Sequence, residues 1–380
     1  MEVNKKTAYI ISLKFAPGLK KEFTVIGENL RKFGLDVKYI ISQKYCELEY
    51  SCDGMVYIPT RDGISGMIGD VVKFYSLKDI TKIFSDKPPS FVCFYNPHAL
   101  NPQLAYLIKR KFPDIILSLY LHDPYKPEKS PYGFKKGMYM KVVEIMQGWT
   151  VKYMDYVISP SEYSSDLFKK KYPNFRGKNF IAPLLVPDAK VNLEKERRRF
   201  FSIVGNAHNA TGHDTFVELV NYVAKNDLDY EFYLISSSKI GTFLRNLNEK
   251  GKKILRIINK PVIKDSEINE VIRESWAVFR LDREVTQSGV VPVAYMNQTP
   301  VIARDIPGLT QHVWHGKTGY IVPFGCSPKD LIIAMDYVRN NFTELSRNAR
   351  KSYEEIWADW NFDKYYGWLI NLLETDKSKL

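Results

Sequence analysis

AVFRLDREVTQSGVVPVAYMNQTPVIARDIPGLTQHVWHGKTGYIVP (residues 277–323) contains three short apolar runs of strand length: AVFRL (277–281), PVIAR (300–304) and GYIVP (319–323). Between the first two lies VVPVAYM, preceded by a polar segment, TQSG. Strands covered on both faces read as continuous apolar runs, and helical stretches between them are the crossovers that parallel pairing requires. Ligands of such sheets bind beyond the carboxyl ends of the strands, so TQSG stands where a binding loop belongs.

The same alternation runs in both directions. FFSIVG (200–205), EFYLISSS (231–238) and LRIINKP (255–261) read as strands, and HDTFVELVNYVAKN (213–226) and DLIIAMDYVR (330–339) as amphipathic helices. SEINEVIRESWAVFRL (266–281) begins as a helix in which Ile268, Val271, Ile272 and Trp276 share one face. Towards the N-terminus, AYIISL (8–13), VKYIIS (37–42), FVCFY (91–95), IILSLYLH (115–122) and NFIAPLLV (179–186) are further strands. FTVIGENLRKFG (23–34) and LAYLIKRKF (104–112) are helices between them. The charged run PDAKVNLEKERRRF (187–200) breaks the alternation. The expected class is therefore α/β, two doubly wound Rossmann-like domains over residues 1–190 and 191–355. The aromatic segment YEEIWADWNFDKYYGWLINLLE (353–374) reads as helical, and residues 356–380 are expected to form a C-terminal helix that returns to the first domain.

Composition narrows the function classes. A chain of 380 residues with 45% hydrophobic and 26% charged residues is globular and long enough for two cores. Its net charge of +12 favours anionic partners: phosphorylated substrates, nucleic acid or an acidic membrane. Cys46, Cys52, Cys93 and Cys326 show no CxxC or Cys/His ligand spacing, which argues against zinc and a disulfide framework and for a reducing compartment. The N-terminal MEVNKKTAYIISLKF reads as a first strand rather than a signal peptide, and the expected location is cytoplasmic.

Three places could carry chemistry. In TQSG, Ser288 or Thr286 can cap the following helix while neighbouring amides face a phosphate, and Gly289 allows close approach. His122-Asp123-Pro124 closes a strand at the ligand-binding end. KFAPGLKK (14–21), with Ala16, Pro17 and Gly18, lies between the first strand and its helix. GKT at 316–318 is not a phosphate loop, because the glycine required upstream is Gln311. His208, His213, His312 and His315 form no HExxH pair, and no metal is expected. YGFKKGMYMKVVEIMQGWTVKYM (132–154) mixes lysines with aromatics and methionines; it suits a core helix with solvated lysines and also peripheral contact with the inner face of a membrane.

Pro300-Val301-Ile302-Ala303, Pro307-Gly308-Leu309 and Gly316-Lys317-Thr318-Gly319-Tyr320-Ile321-Val322 resemble, in order and spacing, the donor-binding region of family 4 glycosyltransferases of the GT-B fold. Ile203-Val204-Gly205 followed by Thr211-Gly212 is similar to the entry to that family's second domain. The resemblance covers most of the chain. It implies two Rossmann-like domains facing each other across a cleft, and transfer of a sugar from a nucleotide diphosphate sugar to a glycan, lipid-linked or protein acceptor. Retention of configuration and independence of metal and cofactor are also implied. Two glutamates usual in the family fall at Thr286 and Ala294, but a subgroup with TQSG and a following Ala-Tyr matches Thr286-Gln287-Ser288-Gly289 and Ala294-Tyr295.

The resemblance further implies donor contacts from Gly205, Asn206, Thr211 and Ser236, from Arg280, Arg283 and Glu284, and from Thr286 through Val290. His122 and Asp123 become the catalytic pair, the histidine approaching the transferred sugar, and Ala16–Gly18 the acceptor-side loop. The basic residues expected after the strand ending at Gly205 are replaced by Asn206 and Thr211. Arg280, Arg283, Lys239 or Arg304 could substitute for them. A catalytically impaired binding subunit of the same fold is the alternative reading, and a nucleic-acid-modifying glycosyltransferase a more distant one.

Overall fold

The computed structural model describes residues 6–47, 53–61, 66, 69–70, 82, 84, 87–127, 134–189 and 198–375. Two compact units emerge: Met1–Tyr125 with Phe134–Leu185 and Asp359–Leu380, and Lys126–Gly133 with Val186–Ala358. Part of the charged run, residues 190–197, lies outside the described residues.

The first unit is built on a seven-stranded parallel sheet, β1 (Thr7–Ser12), β2 (Asp36–Ser42), β3 (Met55–Ile58), β4 (Phe91–Tyr95), β5 (Ile116–Tyr120), β6 (Tyr156–Ser159) and β7 (Lys178–Ile181), in the order β3-β2-β1-β4-β5-β6-β7. All of β1 is buried, and alternation along it feeds two cores. Ala8 and Ile10 join Phe23 and Leu30 of α1 (Pro17–Lys32), whereas Tyr9 and Ile11 join Leu104 and Ile108 of α2 (Asn101–Lys111). Pro17 stands in the first turn of α1, where its fixed φ suits helix entry and its missing N–H costs nothing. Pro17 and Gly18 are therefore helical rather than loop residues.

The helix Phe362–Thr375 completes this unit, with Phe362, Tyr366, Leu369 and Leu373 at helical spacing in the core shared by Ala8 and Ile10. Trp368 stacks on Phe180 of β7 with ring centroids 4.0 Å apart. The segment 353–374 is not one helix. A wide turn, Tyr353–Trp357, ends at Ala358, which is extended (ψ 141°), and Val186 N–H donates to Trp357 O at 2.8 Å. Tyr353 and Trp357 thus stay in the second unit's core.

The second unit has a six-stranded parallel sheet, β8 (Phe200–Val204), β9 (Phe232–Ser236), β10 (Leu255–Asn259), β11 (Ser275–Arg280), β12 (Val301–Arg304) and β13 (Gly319–Val322), ordered β10-β9-β8-β11-β12-β13. Both units are doubly wound Rossmann-like sheets, the α/β class expected from the sequence. One residue is reassigned. Trp276 lies in β11, because the helix Asp265–Arg273 ends where Ser275 Oγ donates to Val271 O at 2.6 Å and the chain becomes extended.

A second departure concerns α3 (Phe134–Val151) of the first unit. Of the apolar residues in FKKGMYMKVVEIMQGWTV only Val151 is buried, so this is not a core helix. No helix among the described residues is long and apolar enough to cross a membrane.

Leu369 is fully buried more than 350 residues from the strand it covers. Leu369→Ala is expected to destabilise the first unit by about 2–5 kcal/mol. Urea unfolding followed by circular dichroism measures this; an unchanged midpoint would show that the C-terminal helix is dispensable to that core.

Candidate functional site

In the second unit the strand order reverses between β8 and β11, which is where a doubly wound sheet opens a crevice at its carboxyl edge. Gly205 leaves β8 with φ +119°, a conformation that favours glycine. A Cβ on Gly205 would lie 3.5 Å from Arg280 Nη1 and 3.9 Å from Val290 Cγ2. The ends of β8 and β11 and the first residue of α4 (Val290–Met296) therefore meet at one point. Arg280 donates from Nη1 to Val204 O at 3.1 Å and from Nη2 to Asp282 Oδ1 at 3.0 Å. Its buried Nε has no hydrogen-bond partner among the described residues. Burial pushes the Asp282 carboxyl above the usual range, and Arg280 opposes that rise.

Ser288 is 4% exposed and its Oγ has no hydrogen-bond partner among the described residues. The capping role expected of Ser288 or Thr286 is corrected: the N-cap of α4 is Gly289, and no side chain caps the helix. Gly289 has φ −68°, ordinary helical backbone that any residue adopts. A buried hydroxyl without a partner costs about 1–3 kcal/mol, a cost that a bound ligand can relieve.

The loop ahead of α4 is held from below. Gln311 Nε2 donates to Thr286 O at 3.0 Å, and a Cβ on Gly308 would approach Val285 O to 1.8 Å, so the Pro307-Gly308-Leu309 turn needs glycine to pass beneath it. Tyr295 Oη donates to Thr318 Oγ1 at 2.6 Å, which fastens the Ala294-Tyr295 pair to the Gly316–Gly319 turn. Ala294 is fully buried and leaves no place for a carboxylate. Glu284 and Gln287 are half-buried in the same loop.

The structure separates the four candidate cations. Arg283 is spent on Asp214, with bonds of 3.0 and 2.7 Å, and on Asn209 O at 2.6 Å. Arg304 is buried, donates to Thr215 Oγ1 at 3.1 Å and lies over the Phe324 ring. Lys239 is exposed. Arg280 is the one brought to Gly205. Thr211 is committed locally: its Oγ1 donates to His208 O at 2.7 Å, accepts from His208 N–H at 2.9 Å and lies 2.9 Å from His213 Nδ1. Burial, and then Arg280, depress the His213 imidazole to about 3, so it is neutral. Asn206 Oδ1 accepts from Ser237 Oγ at 2.9 Å, tying the end of β8 to that of β9, where Ser236 is buried.

The first unit gathers polar groups at its own reversal, between β1 and β4. Asn96, in left-handed backbone (φ +81°), donates to Ser12 Oγ at 3.2 Å. His122 follows β5 by two residues, not as part of the strand, and its ring packs edge-on to Tyr95 and tilted against Tyr120. Ser164 Oγ donates to His122 O at 3.1 Å, and Gln147 Nε2 donates to Asp123 O at 3.2 Å, which fixes the turn.

His122 Nε2 lies 3.8 Å from Glu22 Oε2, the oxygen that accepts from Tyr95 Oη at 2.9 Å. Burial raises the Glu22 carboxyl to about 8, with the Tyr95 hydrogen bond opposing it, so it holds a proton at neutral pH. Sequence reasoning missed Glu22, whose only signal was an acidic residue between two lysines and the apolar run of α1. Of the anticipated acceptor loop, Ala16 is the helix N-cap; its N–H donates to Tyr45 Oη at 3.0 Å, and a Cβ on Gly18 would touch nothing within 4 Å.

Residues 198–341 match the family described as Glycosyl transferases group 1. No curated protein matches the chain. Among solved structures, the sucrose-phosphate synthase of Thermosynechococcus elongatus superposes with a TM-score of 0.76 at 14% identity, over 98% of this chain and 100% of its own. The pneumococcal O-GlcNAc transferase GtfA, in complex with UDP and GlcNAc, gives 0.72 at 10% identity, over 97% and 99%. HepE of Anabaena, in complex with UDP, gives 0.69 at 11%, over 98% and 100%. The fold is that of GT-B glycosyltransferases, and the match to the group 1 family lies within the second unit.

The Glu22 proton has a consequence for stability. A carboxyl whose pKa rises from 4.5 to about 8 on folding binds its proton more tightly in the native state, so its contribution is complete below pH 4.5 and is lost as pH rises through about 8. Glu22→Gln is expected to flatten that decline in urea midpoints across the interval. A parental decline in the variant would assign the pH dependence to other groups.

Proposed function

We propose that this protein transfers a sugar from a nucleotide diphosphate sugar to an acceptor hydroxyl on a glycan, lipid-linked sugar or protein, in the cytoplasm, with retention and without metal. One observation carries the reading: the buried, unpartnered Ser288 hydroxyl stands two residues before the point where Gly205, Arg280 and Val290 converge. Such a site takes an anion that brings its own acceptor oxygens. In the transfer, the bond from the sugar to the diphosphate breaks, the diphosphate leaves with the electron pair, and the acceptor oxygen forms the new bond as its proton departs. The proposal has Arg280 and Ser288 stabilise charge developing on the leaving diphosphate, where low local polarity would strengthen each contact.

Supporting the reading, the group 1 match spans the second-unit residues named for the donor, and the net charge of +12 suits an anionic substrate. UDP, present in the GtfA and HepE structures, is the first nucleotide to test. The proposal assigns His122 a contact with the sugar undergoing transfer, the role that its HDP sequence implies; Glu22, Tyr95 and Tyr120 hold the ring. The second reading, a binding subunit without turnover, is favoured by Thr286 and the core residue Ala294 at positions where the resembling family carries carboxylates.

Ser288→Ala removes a hydrogen bond to a charged group, about 1.5–3 kcal/mol, so nucleotide affinity measured by calorimetry is expected to fall about tenfold or more. Parental affinity would remove the donor from this loop. His122→Ala is expected to lower turnover markedly while nucleotide affinity stays within a few fold, as befits a contact made in the reacting geometry. Nucleotide binding without any transfer by the parent would favour the binding-subunit reading.

A further inference from the structure

Helix α3 presents an unusual surface. Phe134 is 84% exposed, Met138 53%, Ile145 56% and Trp149 51%, and at 100° per residue they fall within an arc of roughly 60°. Exposed Lys141 lies about 20° beside that arc, and exposed Lys152 stands one residue beyond the helix end. The helix's acidic side chain, Glu144, is tied to Lys171 at 3.0 Å, away from that stripe. At the C-terminal end, Trp149, Lys152 and Tyr153 meet Pro102, Gln103 and Tyr106 of α2 around a shallow hollow. Tyr106 itself is 45% exposed.

We propose that this face seats on an anionic lipid surface, with the apolar stripe in the acyl–headgroup boundary and Lys141 and Lys152 on lipid phosphates. Cations bordering the apolar arc decide between occupants. The core of a protein interface is depleted of lysine, whereas a lysine among apolar residues at a bilayer extends its ammonium to the headgroups while its stem stays in the boundary. A second copy would bring another +12 against the first, and an anionic bilayer gains from the same charge. Exposed Trp149 and Tyr106 have the amphipathic rings that settle at a membrane–water boundary. The proposal stands whether or not the chain transfers sugars.

The test is cosedimentation of the full chain with phosphatidylcholine vesicles and with vesicles that also contain phosphatidylglycerol. Binding is expected to the anionic vesicles and to weaken with added salt. The double variant Phe134→Ser/Trp149→Ser should lower partitioning at least about tenfold, since two large apolar groups leave the boundary. Lys141→Glu, a lone exchange on an exposed position, should lower it about tenfold through charge alone. Unchanged unfolding midpoints would confirm that both variants fold. No sedimentation of the parent with anionic vesicles, or parental binding by Lys141→Glu and the double variant, would overturn the proposal. A parental dimer in sedimentation velocity that the double variant dissolves would overturn it in favour of a second copy.

Discussion

Covering both faces of each parallel sheet restricts where polar chemistry can reside. Strands such as Phe200–Val204, buried along their whole length, have no position at which a charged side chain could be solvated. Polar groups are displaced to the carboxyl edge, and only where the strand order reverses do two crossovers part widely enough to leave room for them. Gly205 and Arg280 occupy that gap in one unit, and Ser12, Asn96, Glu22 and His122 occupy it in the other. Even the turn beneath the Val285–Ser288 loop obeys the constraint, since Gly308 passes under a carbonyl at a distance that no side chain allows.

The strands were legible because continuous β-branched and aromatic runs have few other uses, and the class of fold followed from their alternation with helices. Trp276 was misplaced because a helix and a buried strand are both apolar there, and the hydroxyl of Ser275 that closes the helix works over only four residues. The site was legible in outline only. The resemblance calls for a cation near Gly205, but choosing Arg280 over Arg283 requires knowing that Asp214 and Asn209 O, supplied by other segments, already hold Arg283. Glu22 was silent for a similar reason: its environment is assembled from α1, β4 and the turn after β5, and no local pattern announces it.

Helix α3 shows the opposite failure. A helix apolar on every side is normally buried, and periodicity alone cannot tell a core helix from one whose neighbours are missing. Exposure, a property of the assembled unit, makes the distinction.

The break at Ala358 also bears on the order in which the chain can fold during synthesis. All strands of the first unit emerge before the first strand of the second, yet its core lacks Phe362, Tyr366, Leu369 and Leu373 until those residues are made. The second unit, started later, has its sheet and its Tyr353 and Trp357 complete by residue 358. The half that is translated first is therefore the half that finishes last. A ribosome that stops before residue 362 releases a chain whose apolar sheet face is uncovered, a surface that chaperones and proteases engage.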